Sequence, residues 1–156
     1  MENYMKICLV SSTGGHLIEL KKIVPAVKDH EIFFVTEKSE MSNDLKDIFK
    51  VYYLVQQERK NINFIVNMVR NLFKSLNVLI RENPKLIIST GAGAVFPICL
   101  MGKIFGKKII YVESFAKVNS PSLTGKLVYK FADEFYIQWE SLRKFYPKAK
   151  YKGALY

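Results

Sequence analysis

Residues 5–20, MKICLVSSTGGHLIEL, constrain the fold more than any other stretch. An apolar run ends in Ser-Ser-Thr-Gly-Gly-His, and a helical pattern begins at once. Gly14 and Gly15 allow a sharp corner between strand and helix. Such a corner presents free backbone N–H groups at the positive end of the helix dipole, an arrangement suited to a phosphate or another anion. His16 stands at this corner. At a helix N-terminus the dipole favours neutral imidazole, the form a general base requires. A capping or packing histidine fits the same position equally well.

The rest of the chain alternates in the same way. Apolar runs predict strands at 6–11, 31–36, 51–55, 85–89, 108–113 and 134–138. Helical spacing predicts helices at 17–28, 62–81, 95–105 and 123–132, with a short one near 141–145. The strands lack polar alternation, as strands buried on both faces do. Alternation of such strands with helices specifies an α/β fold: a single Rossmann-like domain with a parallel sheet flanked by helices. A length of 156 residues supports one domain, 1–156. The conspicuous loops at 12–16, 37–43, 90–94 and 114–121 all follow strands, where such sheets bind ligands.

A second glycine turn, Ser89-Thr90-Gly91-Ala92-Gly93-Ala94, repeats the sequence of strand, small residues and helix. Neither turn has dinucleotide-fingerprint spacing or a Walker lysine. Each alone fits close helix–strand packing as well as it fits a ligand, but two on one sheet edge favour the ligand. Glu113 closes the run Ile109-Ile110-Tyr111-Val112. A carboxylate there orients His16, binds a sugar hydroxyl, acts as base, or caps the next turn. Spacing does not rank these. His30 precedes the second strand, at the opposite edge, and takes no role.

Lys and Arg number 24 against 14 Asp and Glu, a net charge of +10, which calls for an anionic partner. Dispersed cations without a recognition helix or stacking platform argue against nucleic acid. Cys8 and Cys99 have no metal-ligand company, so no bound metal is expected, and isolated thiols suit a reducing compartment. No signal peptide or spanning segment is evident, which predicts a cytoplasmic protein.

In the long helix at 62–81, Ile62, Ile65, Val66, Val69, Leu72, Phe73, Leu76 and Leu79 form one apolar stripe, expected to face the core. Asn63, Asn67, Arg70, Lys74 and Arg81 mark the other side. Phe64 and Met68 fall off the stripe beside those cations. Exposed apolar residues among cations suit a membrane surface, although a solvated face explains them as simply. The chain ends in Lys152-Gly153-Ala154-Leu155-Tyr156, which either tucks onto the domain or docks on another subunit.

Three stretches, SSTGGHLIEL, STGAGA and YVESFAKVNSPSLTGKLVYKFADEFYIQW, together resemble the acceptor-side subunit of two-part glycosyltransferases. This is the Alg14-like family, which includes bacterial proteins of the PssD and CpsF type. A more distant likeness is to the amino-terminal half of MurG. The resemblance implies the N-terminal half of a GT-B glycosyltransferase. Its function would be to help transfer a sugar, with inversion, from a UDP-sugar to a polyprenyl-diphosphate-linked sugar, in capsular or exopolysaccharide or lipid-linked oligosaccharide synthesis. A partner of the Alg13, PssE or CpsG kind would bind the UDP-sugar, leaving no cofactor on this chain.

The resemblance implies roles as well. The acceptor diphosphate would lie against Thr13, Gly14, Gly15, Gly91 and Gly93. His16 would be the base, with Glu113 as the other candidate, and Ser114 and Asn119 would help place the acceptor. Leu155 and Tyr156 would meet the partner. By analogy with MurG, Phe64, Met68, Arg70, Lys74 and Phe105 would face an anionic membrane, making the protein peripheral on its inner face. The alternative is a subunit that recruits and activates its partner without catalytic groups.

Overall fold

The computed structural model describes residues 4–57 and 63–156. Seven strands form one wholly parallel sheet in the order β3-β2-β1-β4-β5-β6-β7. They are β1 (Lys6–Ser11), β2 (Glu31–Glu37), β3 (Lys50–Leu54), β4 (Leu86–Gly91), β5 (Lys108–Val112), β6 (Glu134–Ile137) and β7 (Lys150–Tyr151). Six match the expected strands within two residues at each end. The two-residue β7 has too little pattern to be read from sequence. The strand order reverses between β1 and β4, and ligands bind at such a switch point beyond the carboxyl ends of the strands.

Helices cover both faces. Helices α1 (Gly15–Lys21) and α2 (Val24–Val27) lie on one side, where Leu17, Leu20 and Val27 pack on Ile7, Leu9, Phe34 and Ile88. The expected helix at 17–28 is split in two. Pro25 lacks the N–H that a continuous helix would need and instead opens α2. A short α3 (Glu40–Asn43) follows β2. The other face carries α4 (Phe64–Glu82), α5 (Phe96–Ile104) and α6 (Leu123–Val128). There Val78, Leu79, Ile98, Cys99 and Val128 pack on Cys8, Val10, Ile87, Ile109 and Tyr111. Cys8 and Val10 face one layer and Ile7 and Leu9 the other, as strand pleating requires.

Helix α4 faces opposite to expectation. Its stripe residues Ile65, Val66, Val69, Leu72 and Phe73 are exposed, Phe73 by 66%. Of the stripe, Leu79 is buried and Leu76 half-buried, while Ile62 lies outside the described residues. The inward side carries Asn71, Ser75, Val78, Leu79 and Glu82. Polar groups are tolerated there because most find partners. Asn71 Oδ1 accepts from the Val55 N–H at 2.7 Å, and its Nδ2 donates to the Val55 carbonyl at 2.8 Å, extending the edge of β3. Phe64 and Met68, expected on the exposed basic face, are half-buried on the inward side. Arg70 and Lys74 are exposed as expected.

Glu82 anchors the end of α4. It is 5% exposed, pairs with Lys6 at 3.1 Å and with Lys50, and accepts from the Tyr52 hydroxyl. Burial alone pushes its carboxyl up, but Lys50, Tyr52 and Lys6 outweigh that and hold it at about 2. A depressed carboxylate stabilises the fold above its free value of 4.5, and that stability is lost as pH falls towards 2. Discounted for the solvent-screened Lys50, the contribution is about 2 kcal/mol at neutral pH. Urea unfolding should therefore find Glu82→Gln destabilised by about that amount at pH 7, with the gap to wild type closing between pH 4.5 and 2. A constant gap across that range would contradict this assignment.

Candidate functional site

The glycine turns meet at the switch point. Beyond the last paired residues, the Ser12 N–H donates to the Gly91 carbonyl at 2.7 Å, and the Ala92 N–H donates to Ser12 Oγ at 3.2 Å. These bonds lace the end of β1 to the end of β4. Gly14 has φ +69° and Gly91 φ +96°, backbone that suits glycine and strains other residues. A Cβ on Gly14 or Gly15 would meet open space, so that turn presents bare backbone outward. The first N–H groups of a helix have no intrahelical acceptor, which leaves those of Gly15 and His16 available at this edge.

Gly91 serves a second purpose. A Cβ there would sit 3.0 Å from Tyr111 Oη and 3.2 Å from Nδ1 and Cε1 of the His16 imidazole. Its bareness lets the His16 ring lie against β4. The ring is held at 2.7 Å between Nδ1 and the Thr90 carbonyl. A carbonyl only accepts, so Nδ1 carries the proton and the Nε2 lone pair is free. Thr90 Oγ1 donates back to the His16 carbonyl at 2.7 Å. The half-buried imidazole is thus fixed in tautomer and direction by one strand-end residue.

Glu113 does not share this arrangement. It is fully buried, and its two oxygens accept from the Ser114 N–H, the Ser122 N–H, Ser122 Oγ and Tyr146 Oη, at 2.6 to 3.0 Å. Gly125 packs so closely that a side chain there would collide with the carboxylate. So placed, Glu113 pins the loop at 113–122 to the start of α6, the capping role that the sequence left open beside the reacting ones. Ser114 is also buried, and its Oγ donates to Glu19 Oε1 at 3.4 Å rather than facing the cleft. Asn119 is exposed on the same loop. Thr13, half-buried, gives its N–H to Glu37 Oε2 at 3.4 Å.

Two residues that the sequence did not single out lie beneath the site. Glu19 is 2% exposed, one turn along α1 from His16, and accepts from the Phe115 N–H at 3.2 Å and Gln138 Nε2 at 2.7 Å. Burial pushes its carboxyl above the usual range. The available signal was a carboxylate between Leu17 and Leu20 on an otherwise buried face. Gln138 directly follows β6, and its Oε1 accepts from the Leu155 N–H at 2.8 Å. The end of the chain folds back here. Tyr156 lies over Phe115, with ring centres 4.8 Å apart, and Lys22 sits above the Tyr156 ring.

Beside this tail lies an apolar groove of about 390 Å³. Ile88, Ile110 and Val112 floor it, Ile23 and Val27 form one wall, and Gly153 to Leu155 form the other. It occupies the side of the sheet carrying α1 and α2. On the other side, the outward stripe of α4 continues through Ile80 to Ile104 and Phe105 of the α5 end, all exposed. Arg70, Lys74 and Arg81 flank it. Among the described residues no helix is long and apolar enough to cross a membrane. No group of three or more His, Cys, Asp or Glu is gathered among them.

Comparison with known proteins agrees with this geometry. Among solved structures, MurG of Acinetobacter baumannii superposes with a TM-score of 0.72 at 13% identity, over 88% of this chain and 42% of that one. UDP-N-acetylglucosamine 2-epimerase from Rickettsia bellii gives 0.72 at 14%, over 98% and 46%. The chain thus spans under half the length of the solved proteins it matches, and at such identity the likeness is one of fold. Sequence relatives are matched more fully. The UDP-N-acetylglucosamine transferase subunit alg14 of Schizosaccharomyces pombe is 32% identical over 90% of this chain and 79% of its own length. The mouse ALG14 subunit is 26% identical over 97% and 83%. The family model described as "Oligosaccharide biosynthesis protein Alg14 like" matches residues 7–155, and the chain belongs to that family.

Proposed function

We propose that this chain is the acceptor-binding subunit of a heteromeric, inverting glycosyltransferase, active with a partner that binds the UDP-sugar. The observation that carries the proposal is the His16 imidazole, held on Thr90 with Nε2 free at the edge where two glycine turns meet. Relatives named as UDP-N-acetylglucosamine transferase subunits support N-acetylglucosamine as the sugar transferred. The acceptor is a polyprenyl-diphosphate-linked sugar of capsular, exopolysaccharide or lipid-linked oligosaccharide synthesis. Its diphosphate lies against the open turn of Gly14 and Gly15, whose bare backbone suits anionic oxygens. Thr13, Gly91 and Gly93 shape the edge around it, since the Thr13 N–H is given to Glu37 and the Gly91 N–H to Ser89 Oγ. Asn119, exposed on the neighbouring loop, is in reach of the acceptor sugar.

In the reaction, His16 Nε2 takes the proton from the acceptor hydroxyl as that oxygen attacks the anomeric carbon. The new C–O bond forms on the face opposite the bond to UDP, which breaks with its electron pair leaving on the diphosphate. The configuration therefore inverts. Nδ1–H stays on the Thr90 carbonyl throughout and steadies the imidazolium that forms. The partner supplies the donor site and the charge stabilisation at the leaving diphosphate.

The partner seats on Leu155, Tyr156 and the adjoining apolar groove. An anionic membrane surface meets the stripe of α4 and Phe105, with Arg70 and Lys74 at its margin. This replaces Phe64 and Met68 with Ile65, Val69, Leu72 and Phe73 as the residues that enter the headgroup region. The protein then works peripherally on the cytoplasmic face, where its acceptor is displayed.

Transfer from UDP-N-acetylglucosamine to a short-chain prenyl-diphosphate sugar, in the presence of the partner, tests the chemistry. His16→Ala should lower kcat by roughly 10²–10⁴-fold with partner binding retained, the range of a lost general base. Glu113→Gln should lower the melting temperature and retain most turnover in the folded fraction. Full activity of His16→Ala would show the chain to be a recruiting subunit without catalytic groups. Flotation with anionic liposomes tests the surface. Wild type should rise with the vesicles and Phe73→Glu/Ile65→Glu should stay at the bottom, whereas equal flotation of both would remove α4 from the membrane contact.

A further inference from the structure

We propose that Glu19 and Gln138 are positioning residues that couple the seating of the partner on the C-terminal segment to the setting of the helix that carries His16. The inference rests on the functional reading above and adds a regulation to it. Three elements meet at these two side chains, and nothing in the transfer chemistry itself uses either of them.

Glu19 is a carboxylate at 2% exposure whose partners among the described residues are all neutral: the Phe115 N–H, Ser114 Oγ and Gln138 Nε2. Burying a carboxylate without a cation is costly, and Glu19 is held here by the Phe115 N–H and Gln138 Nε2, which tie α1 to the loop after β5 and to the end of β6. Glu19 lies three residues after His16, on the next turn of α1, so whatever fixes Glu19 fixes the roll of α1 about its axis. That roll, together with the Thr90 carbonyl that accepts from Nδ1, sets the direction of His16 Nε2.

Gln138, at 3% exposure, faces both ways. Its Nε2 donates to Glu19 Oε2 at 2.7 Å and to the Glu113 carbonyl at 3.0 Å, and its Oε1 accepts from the Leu155 N–H at 2.8 Å. An amide side chain can accept from the tail while donating to a carboxylate. Two successive bonds thus run from the tail to α1, Leu155 N–H to Gln138 and Gln138 to Glu19. They lie in a poorly hydrated layer where such bonds gain strength and order one another. The segment at their outer end is the wall of the apolar groove, and Leu155 itself is half-buried. A partner filling the groove presses this segment onto Gln138. The amide is then held in one orientation, Glu19 is fixed by it, and His16 is aimed. The Leu155–Gln138 and His16–Thr90 bonds are both made in this chain by itself, and a partner covering the segment steadies the first of them and, through Glu19, the setting of α1.

The test uses the full chain with its partner, UDP-N-acetylglucosamine and a short-chain prenyl-diphosphate sugar. Gln138→Leu and Glu19→Gln should each lower kcat roughly tenfold, a coupling of ordinary allosteric size, with donor KM and partner affinity little changed. The swap Glu19→Gln/Gln138→Glu, which restores an amide–carboxylate pair in reverse, should regain part of that loss. Leu155→Pro removes the tail N–H together with the Leu side chain and is read against Leu155→Ala, which keeps the N–H. Leu155 is not deeply buried, so the pair reports even if the buried variants fail to fold. At saturating partner Leu155→Pro should show the same fall in kcat. A second readout needs no turnover. The chain has two histidines, so the His16 ring resonance is readily assigned. It should shift when partner is added to wild type and stay in place in Gln138→Leu or Leu155→Pro. Wild-type kcat in Gln138→Leu and Leu155→Pro with partner bound would overturn the coupling. A wild-type complex that transfers no sugar would instead overturn the functional reading, and the ring resonance would then decide the coupling alone.

Discussion

Everything at the site depends on β1 and β4 being neighbours in a parallel sheet. Their pairing puts two strand ends, 80 residues apart in the chain, within one hydrogen bond of each other, from Ala92 N–H to Ser12 Oγ. Parallel pairing points both carboxyl ends the same way, so both glycine turns open onto one edge. The rest follows from that adjacency. Thr90 can hold His16 from across the strands only because β4 lies beside β1, and Gly91 must be bare because its φ is +96° and the imidazole and Tyr111 Oη lie against it. The Gly14-Gly15-His16 corner is thereby joined to a second glycine turn that no local sequence motif connects to it.

The sequence is legible where periodicity and turn chemistry act locally. Strand and helix alternation, the two glycine turns and His16 can be read directly, because each depends on neighbours in the chain. The family resemblance is legible for the same reason, since its motifs are the strand-end loops. Glu113 is easily misread because spacing alone does not show where a strand-end carboxylate points. Its partners are Ser122, at the far end of its own loop, and Tyr146, from a distant segment. Glu19 and Gln138 escape a sequence reading because their meaning comes from a contact across 119 residues.

Helix α4 shows most plainly where helical periodicity stops being informative. The spacing locates an apolar stripe correctly, but it does not say which way the stripe faces. The structure turns the stripe out because Asn71 and Glu82 have better partners inside than leucine would. Asn71 completes the Val55 backbone, and Glu82 gathers Lys6, Lys50 and Tyr52. A helix whose inward polar groups mostly find partners, Ser75 Oγ excepted, and whose apolar stripe lies without is a helix with a second surface to serve. The flanking Arg70, Lys74 and Arg81 give that surface the character expected beside anionic headgroups. The protein then offers three distinct faces: the α4 stripe, the glycine-lined edge and the groove by the C-terminal tail. These are the three surfaces on which the proposed contacts with a membrane, a diphosphate and a partner rest.

The most direct test of the acceptor-side assignment is ligand titration of the isolated, isotope-labelled chain, followed by amide and ring resonances. A short-chain prenyl-diphosphate N-acetylglucosamine should perturb Gly14, Gly15, His16 and Gly91 in saturable fashion, while UDP-N-acetylglucosamine leaves them in place. Perturbation of those residues by the nucleotide sugar, with none by the prenyl diphosphate, would make this chain the donor side and contradict the account.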